Sequence, residues 1–360
     1  MNKLSIGVVL LMAIGFLSCE TDIEVNAEPT DITVVYGLID PVDSVHYLKI
    51  NKAFLGEGNA LDLAANSINY TYTDEELSVR IDGKINGSAI DNGYLLTRVT
   101  NEISKEEGIF DSSTNVLYKF IEPNINRDAT YTLTIVNTLL NKEITAETKI
   151  VGNSTVSSPR VTNTLGFWSG NVSSGKSVSE TVTVSTGENV GRIQAYVVFN
   201  YTEYYTLASG IAPLAKKVTI NLGVEKVANS TSGKLNYLLK GQNFIDNIIA
   251  DVPANITVAN FSHRELENLT IELSIAGSEL STFMEASAPS TTVNQDKPNY
   301  TNLTNGIGIF SSRSYYDTWK SNKSASTGLN IDTDTKRKLG SLGLGFCLGT
   351  NATASNPCAY

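Results

Sequence analysis

Few residues in this chain are of the types that carry catalysis or metal binding: among 360 residues there are 2 histidines and 3 cysteines. His46 and His263 are far apart in sequence. A His-rich metal site cannot be built from them, and a Ser-His-Asp arrangement would need a nucleophile elbow that the sequence lacks. Both read as plain strand residues. Paired carboxylates are the other source of acid–base chemistry, and a glycosidase holds two of them about 5–9 Å apart. Asp40 with Asp43, Asp74 with Glu75 and Glu76, and Asp332 with Asp334 are neighbours only in sequence, each among turn residues where solvated acids are ordinary. Asp332 and Asp334 offer oxygens for calcium, but the spacing, central Gly and closing Glu of an EF-hand are missing. No catalytic residue, metal or cofactor is expected.

The cysteines are more informative. Cys19 closes an apolar run, Leu4 to Leu17, with Lys3 before it and no charge inside. A membrane-spanning helix needs roughly 20 apolar residues to cross about 30 Å of hydrocarbon, and this run is shorter, so residues 1–18 read as an export signal. Phe16-Leu17-Ser18-Cys19 resembles a bacterial lipobox, in which the thiol takes a diacylglycerol thioether and the cysteine becomes the new N-terminus. Lipidation of Cys19 would fix the chain to a bilayer, since acyl chains contribute about 0.8 kcal/mol per buried CH₂. The alternative is an ordinary signal peptide cleaved elsewhere. Residues 19–30 carry Glu20, Asp22, Glu24 and Glu28, and no Lys or Arg lies between Cys19 and Lys49, which makes this segment an acidic tether. With Cys19 lipidated, Cys347 and Cys358 remain as an even pair in an oxidising compartment. A disulfide between them is the first reading, and two unpaired thiols the alternative.

Charge excludes one class of partner. With 27 Lys and Arg against 37 Asp and Glu the formal charge is −10, and losing Lys3 with the signal takes it one unit lower. There is no basic stripe for a phosphate backbone, so nucleic acid is excluded. The elements that must position any site are strands. Short alternating apolar runs closed by turn residues recur at Ile32-Val34-Tyr36, His46-Leu48-Ile50, Leu77-Val79-Ile81, Tyr94 to Val99, Val116 to Ile121, Tyr131-Leu133-Ile135 and Ile144 to Ile150. Seven such strands predict an immunoglobulin-like β-sandwich over residues 31–151. The polar stretch Gly152 to Pro159 reads as a boundary. Beyond it, over residues 160–360, a second β-rich domain with a few short helices is expected. Strands fall at Val178–Thr183, Arg192–Leu207, Lys217–Val227, Ile256–Phe261 and Leu269–Ile275. Leu238, Leu239, Phe244, Ile245, Ile248 and Ile249 recur at helical spacing, and Ser278 can cap a helix carrying Leu280, Phe283 and Met284.

Aromatic rings give the one clue to binding. Tyr196, Phe199, Tyr201, Tyr204 and Tyr205 crowd one run, and Tyr315, Tyr316 and Trp319 another, with Trp168 after the boundary. Exposed rings stack on sugar faces or anchor protein interfaces, and buried ones are core. Tyr196 and Tyr201 differ in strand parity, so the rings of that run face both ways. Trp168, Tyr204, Tyr205, Tyr315, Tyr316 and Trp319 are the candidate contacts for a ligand or partner. Asp43-Ser44-Val45 also resembles a short O-glycosylation acceptor pattern of Bacteroidota.

A helix over Glu279–Ala286, a polar loop, and then Asn299-Tyr300-Thr301-Asn302-Leu303-Thr304-Asn305-Gly306-Ile307-Gly308-Ile309-Phe310 follow one another in the last third. This order resembles the ending of a large family of Bacteroidota outer-membrane lipoproteins of unknown function, where an Asn-Ile or Asn-Leu step precedes Asn-Gly-x-Gly-x-Phe. Ile32–Ile39 with Tyr47–Ala53 is similar to that family's first strand pair, and the acidic tether resembles its surface-export signals. Lys320 to Tyr360 continues past the family's usual end. The resemblance implies a lipid-anchored protein on the periplasmic or cell-surface face of the outer membrane, often encoded beside a TonB-dependent receptor, and supplies no catalytic residues. The expected role is a non-enzymatic binding accessory to nutrient uptake, with a glycan or peptide ligand. The alternatives are a fimbrial or adhesin-type structural subunit and, third, a carboxylate-dependent hydrolase. A trypsin-like processing site that a fimbrial subunit would need is missing, since no Arg occurs before Arg80.

Overall fold

A computed structural model describes residues 32–53, 60–106, 108, 113–228, 232–254, 259–288, 299–318 and 328–347. Cys19, Trp319 and Cys358, the export signal, the tether and residues 256–258 of the strand expected at Ile256–Phe261 lie outside the described residues; Ala259 and Asn260 form a turn, and the strand begins at Phe261. The protein is mainly β, with 52% strand and 15% helix among the described residues.

In the first half the strands are β1 (Ile32–Ile39), β2 (Val45–Ala53), β3 (Leu77–Ile85), β4 (Thr97–Thr100), β5 (Val116–Ile121), β6 (Thr130–Asn137) and β7 (Lys142–Lys149). The alternation along them sorts side chains by face: Tyr131, Leu133 and Ile135 of β6 point inward and are buried, while the residues between them face out. Sheet β1-β2-β5-β4 lies over sheet β7-β6-β3, and Val35, Leu48, Ile50 and Phe120 meet Val79, Ile81, Leu133 and Ile144 in one apolar cluster. That is a two-sheet sandwich. The run Tyr94–Val99, expected as one strand, is a corner: Tyr94–Leu95 pairs with β3, and β4 then pairs with β5 in the other sheet. Buried Leu96 sits at the turn-over point.

The second half contains β8 (Thr155–Ser158), β9 (Glu180–Thr186), β10 (Val190–Tyr205), β11 (Leu214–Lys226), β12 (Gly233–Leu239), β13 (Phe261–Gly277) and β14 (Ile307–Asp317). Its helices are preceded in the chain by α1 (Ala60–Ala64) and comprise α2 (Gly241–Asp251), α3 (Ser278–Ser287) and α4 (Thr333–Gly340). Sheet β8-β9-β12 and α2 close over β11-β10-β13 around a second cluster that includes Phe167, Phe199, Tyr237, Phe244 and Leu273. Phe244, Ile245 and Ile248 form the buried stripe of α2, as their spacing requires. Leu238 and Leu239 belong instead to β12, where pairing with β9 overrides the helical period. Ser278 opens α3 without capping it: Gly277 is the N-cap residue, and the Ser278 hydroxyl turns to Asn189 Oδ1 at 3.2 Å.

One strand belongs to both halves. β14 pairs in parallel with β1 from Ile307 to Ser312, then antiparallel with β13 from Arg313 to Asp317, so the large sheet runs continuously as β11-β10-β13-β14-β1-β2-β5-β4. Just before it, Leu303–Thr304 pairs with β7, and Asn305 (φ 60) turns the chain across to the other sheet. Asn302 locks this crossing. Its amide nitrogen donates to Phe310 O (2.7 Å) and Glu147 O (3.2 Å), and its oxygen accepts from Phe310 N (3.0 Å). Gly308 has φ 113, and a Cβ there would run into the Val35 carbonyl, so only glycine lets β14 lie this close to β1.

Two glycine substitutions separate backbone strain from steric approach. Gly210 also has a positive φ, 66, but open space around its missing Cβ, so Gly210→Ala should cost only about 1–2 kcal/mol. Gly308→Ala adds the clash with β1 and should cost about 3 kcal/mol or more. Urea unfolding of both variants checks this, and equal losses would contradict the close-approach argument.

Candidate functional site

The aromatic candidates do not converge. Trp168 begins a small strand pair with Lys176–Ser177, and its ring lies under Lys338 of α4, with Nζ 4.3 Å from the centroid. Its indole N–H donates to Asn171 O at 3.1 Å. Tyr315 and Tyr316 pair with Ser274 and Leu273 on β13 and point to opposite faces: Tyr316 packs on the second core, while Tyr315 is 41% exposed and bonds Glu272. Burial first, and then that carboxylate, push the Tyr315 phenol well above its ordinary range. Tyr204 and Tyr205 pair with His263 and Phe261, about ten residues further along β13, roughly 30 Å at the rise of a strand. Among the described candidates, these two alone share a site.

That site is the polar end of β10 and β13. Along β10, inward parity runs Val197, Phe199, Tyr201, Glu203, so a carboxylate enters the position where the core would continue. Arg264, fully buried, answers it: Nε donates to Glu203 Oε2 at 2.9 Å and Nη2 approaches the same oxygen at 2.8 Å. Arg264 Nη1 donates to Leu344 O, and the guanidinium lies 4.7 Å from the Phe261 ring centroid. The Tyr205 hydroxyl donates to Glu203 Oε1 at 2.8 Å. Burial alone would raise the Glu203 pKa, but Tyr205 and Arg264 outweigh it and hold the carboxyl below its usual range. Phe346–Cys347 pairs in parallel with Arg264 and Glu265 and closes the site from the C-terminal side. Cys347 is disulfide-bonded; Cys358, its expected partner, lies outside the described residues.

His263 stands beside this pair, its ring stacked on Tyr204 with centroids 4.7 Å apart and planes 3° from parallel. Its Nδ1 is 3.0 Å from Ser262 Oγ and its Nε2 is 3.3 Å from Glu265 Oε1. Hydroxyl, imidazole and carboxylate thus lie in a row, although Ser262 sits within extended β13, not on the strained turn that exposes a nucleophile. The arrangement holds the ring between Tyr204, Ser262 and Glu265. Sequence reasoning missed Glu203 and Arg264 as a pair because they come from different strands. The available signal was a charge at a core-parity position.

Most of the other candidate acids have structural partners. Asp40 is buried, which raises its pKa against the pull of the Val42 N–H, and stands 4.0 Å from Arg313. Asp74 is 3.8 Å from Arg98, and Glu76 accepts from Thr73 N and meets Lys52 at 3.4 Å. Asp332 caps α4 through Thr335 N, and Asp334 accepts from Gly170 N. His46 stacks on Phe120 and bonds Glu122 O. Asp43 and Ser44 are exposed in the β1–β2 turn. Among the described residues, no group of three or more His, Cys, Asp or Glu could hold a metal ion, and no helix is long and apolar enough to cross a membrane.

A cleft of about 800 Å³ opens where the two cores meet, lined by Arg127, Asp128, Lys149, Asn153, Glu188 and Asn189 among others. Its floor is backbone on backbone: Gly152 N donates to Glu188 O at 2.7 Å, and Cβ atoms on Gly152 or Gly187 would strike the opposing chain. Arg127 Nη1 donates to Val151 O at 2.7 Å, bracing one wall. The lining mixes side chains of both charge signs and amides with apolar surface from Ala129 and Ile150, and offers hydrogen bonds to a polar ligand. Compared with protein-family models and with curated proteins, the chain matches none of either.

Removing one partner of the buried pair leaves an uncompensated charge, so Glu203→Leu or Arg264→Met should cost about 3–5 kcal/mol, and the double variant should recover most of it. Because the folded pKa of Glu203 is depressed, its contribution is present above the unfolded carboxylate range and lost as pH falls through the folded value. The double variant should therefore lose less stability than wild type on acidification, as followed by thermal melts. Parallel pH profiles would contradict the assignment.

Proposed function

We propose that the chain is a lipid-anchored outer-membrane or cell-surface lipoprotein that acts by binding, as an accessory to a TonB-dependent uptake system, and takes a glycan or peptide into the cleft between its cores. The cleft is the observation that carries the binding role: it is large enough for several sugar rings or residues, lined by charged and amide groups beside apolar surface such as Ile150, and braced by backbone contacts that need glycine. The anchor rests on Phe16-Leu17-Ser18-Cys19 and the resemblance of the chain to outer-membrane lipoproteins. In this reading the acidic tether holds two β-rich cores away from the bilayer, and the acids act as caps and ion-pair partners.

The anchor and the binding role are tested separately. Cells fed labelled palmitate should label the wild-type chain and a Ser232→Trp variant, which narrows the cleft from an exposed wall position, but not Cys19→Ala. Co-purification from detergent-solubilised outer membranes should recover a partner or ligand with wild type and lose it with Ser232→Trp. Labelling that persists in Cys19→Ala contradicts the anchor, and unchanged recovery with Ser232→Trp contradicts the cleft.

A further inference from the structure

We propose that the tip of the β10–β11 hairpin, residues 206–214, inserts into the surface of a phospholipid bilayer. This goes beyond the reading above and does not depend on Cys19. From Tyr204 to Ala215 no residue is charged, and the tip reads Leu207-Ala208-Ser209-Gly210-Ile211-Ala212-Pro213-Leu214. Leu207 is 101% exposed, Ile211 47% and Leu214 46%, so three branched aliphatic side chains project from one turn into solvent. Single exposed aliphatic side chains occur on other strands too, Leu95 and Ile121 among them, but here three fall within eight residues of an uncharged turn.

Several backbone N–H groups of the tip are bonded within the protein. Thr206 N donates to Asn260 O (2.8 Å), Ser209 N to Thr206 O (2.9 Å), Ser209 Oγ to Thr206 O (2.6 Å) and Ile211 N to Ser209 Oγ (3.2 Å). Gly210, in the left-handed conformation, closes the turn, and Pro213 has no N–H to satisfy. Each peptide group bonded internally lowers the cost of entering a bilayer surface.

Side chains behind the tip follow the order of depth at a membrane. Tyr204, Tyr205 and Phe261 stand next, half-buried, at the level where aromatic rings favour headgroups. Lys216 and Lys217 follow, paired in register with Tyr201 and Asn200, with exposed side chains long enough to reach lipid phosphates. Glu265 and Glu267 lie at the Lys level on β13, so aliphatic insertion, and not net positive charge, supplies the drive. A protein partner fits less well, because a stable interface buries about 800 Å² on each side and a single convex turn offers far less. A bilayer accepts a convex wedge of this size.

The mature chain without its acylated cysteine, residues 20–360, contains every described residue and removes the anchor as a source of binding. With vesicles of phosphatidylcholine and phosphatidylglycerol in equal amounts, this chain should float with lipid. L207D/I211D, and the milder L207S/I211S, should weaken flotation about tenfold or more for the Asp pair, with unchanged thermal melts because neither side chain packs on a core. Leu207→Trp should shift its emission to the blue on adding vesicles. The proposal is overturned by a wild-type chain that stays with the aqueous phase, by equal flotation of the Asp pair, by Leu207→Trp emission that lipid leaves unmoved, or by a lipid-free dimer that the Asp pair abolishes.

Discussion

The pairing of β14 with both β1 and β13 is the constraint on which the architecture depends. Six residues of one strand complete the sheet of the first core, and the next five complete the sheet of the second. Phe310 is buried in the first apolar cluster and Tyr316 packs on the second, so a single segment contributes side chains to each. Loss of its register would expose an edge of β1 and an edge of β13 together. The Asn302 clamp and the close approach at Gly308 set that register, and both sit before the strand leaves β1.

The same joint explains where binding surfaces lie. Since the large sheet is continuous, the two halves touch along a fixed line, and the cleft between them is shaped by crossing backbones at Gly152 and Gly187 instead of by mobile side chains. At the far end of β10 and β13 the Glu203–Arg264 pair does comparable work. The buried Glu203 carboxylate is tolerated there because Arg264 Nε and the Tyr205 hydroxyl both donate to it, while Arg264 Nη1 donates to the Leu344 carbonyl. The pair lies at the base of the hairpin whose tip carries Leu207, Ile211 and Leu214.

Strand alternation made the first half legible, because a buried face and a wet face leave a period of two in Ile32–Ile50, Leu77–Ile81 and Tyr131–Ile150. It failed at Tyr94–Val99, where the chain changes sheets without breaking its apolar run, and at Leu238–Leu239, where two adjacent leucines fit a helix and a strand equally well. The motif Asn302 to Phe310 stood out in the sequence. Its physical meaning did not, because Glu147 and Val35, which it contacts, are distant in the chain. The aromatic candidates were found by crowding alone, which says nothing of direction: Tyr315 and Tyr316 are neighbours that face opposite ways, and Trp168 is covered by a helix no local pattern tied to it. The cleft joins segments around 127, 150 and 188 and is invisible to any local reading.

Hydrogen–deuterium exchange at increasing urea, read on peptides from β6 in the first core and β10 in the second, tests the shared strand most directly. Exchange of the two peptides should rise at the same urea concentration, and Phe310→Ala should shift both together. Two separated transitions, with Phe310→Ala moving only the β6 peptide, would contradict the claim that β14 makes one cooperative unit of the two cores.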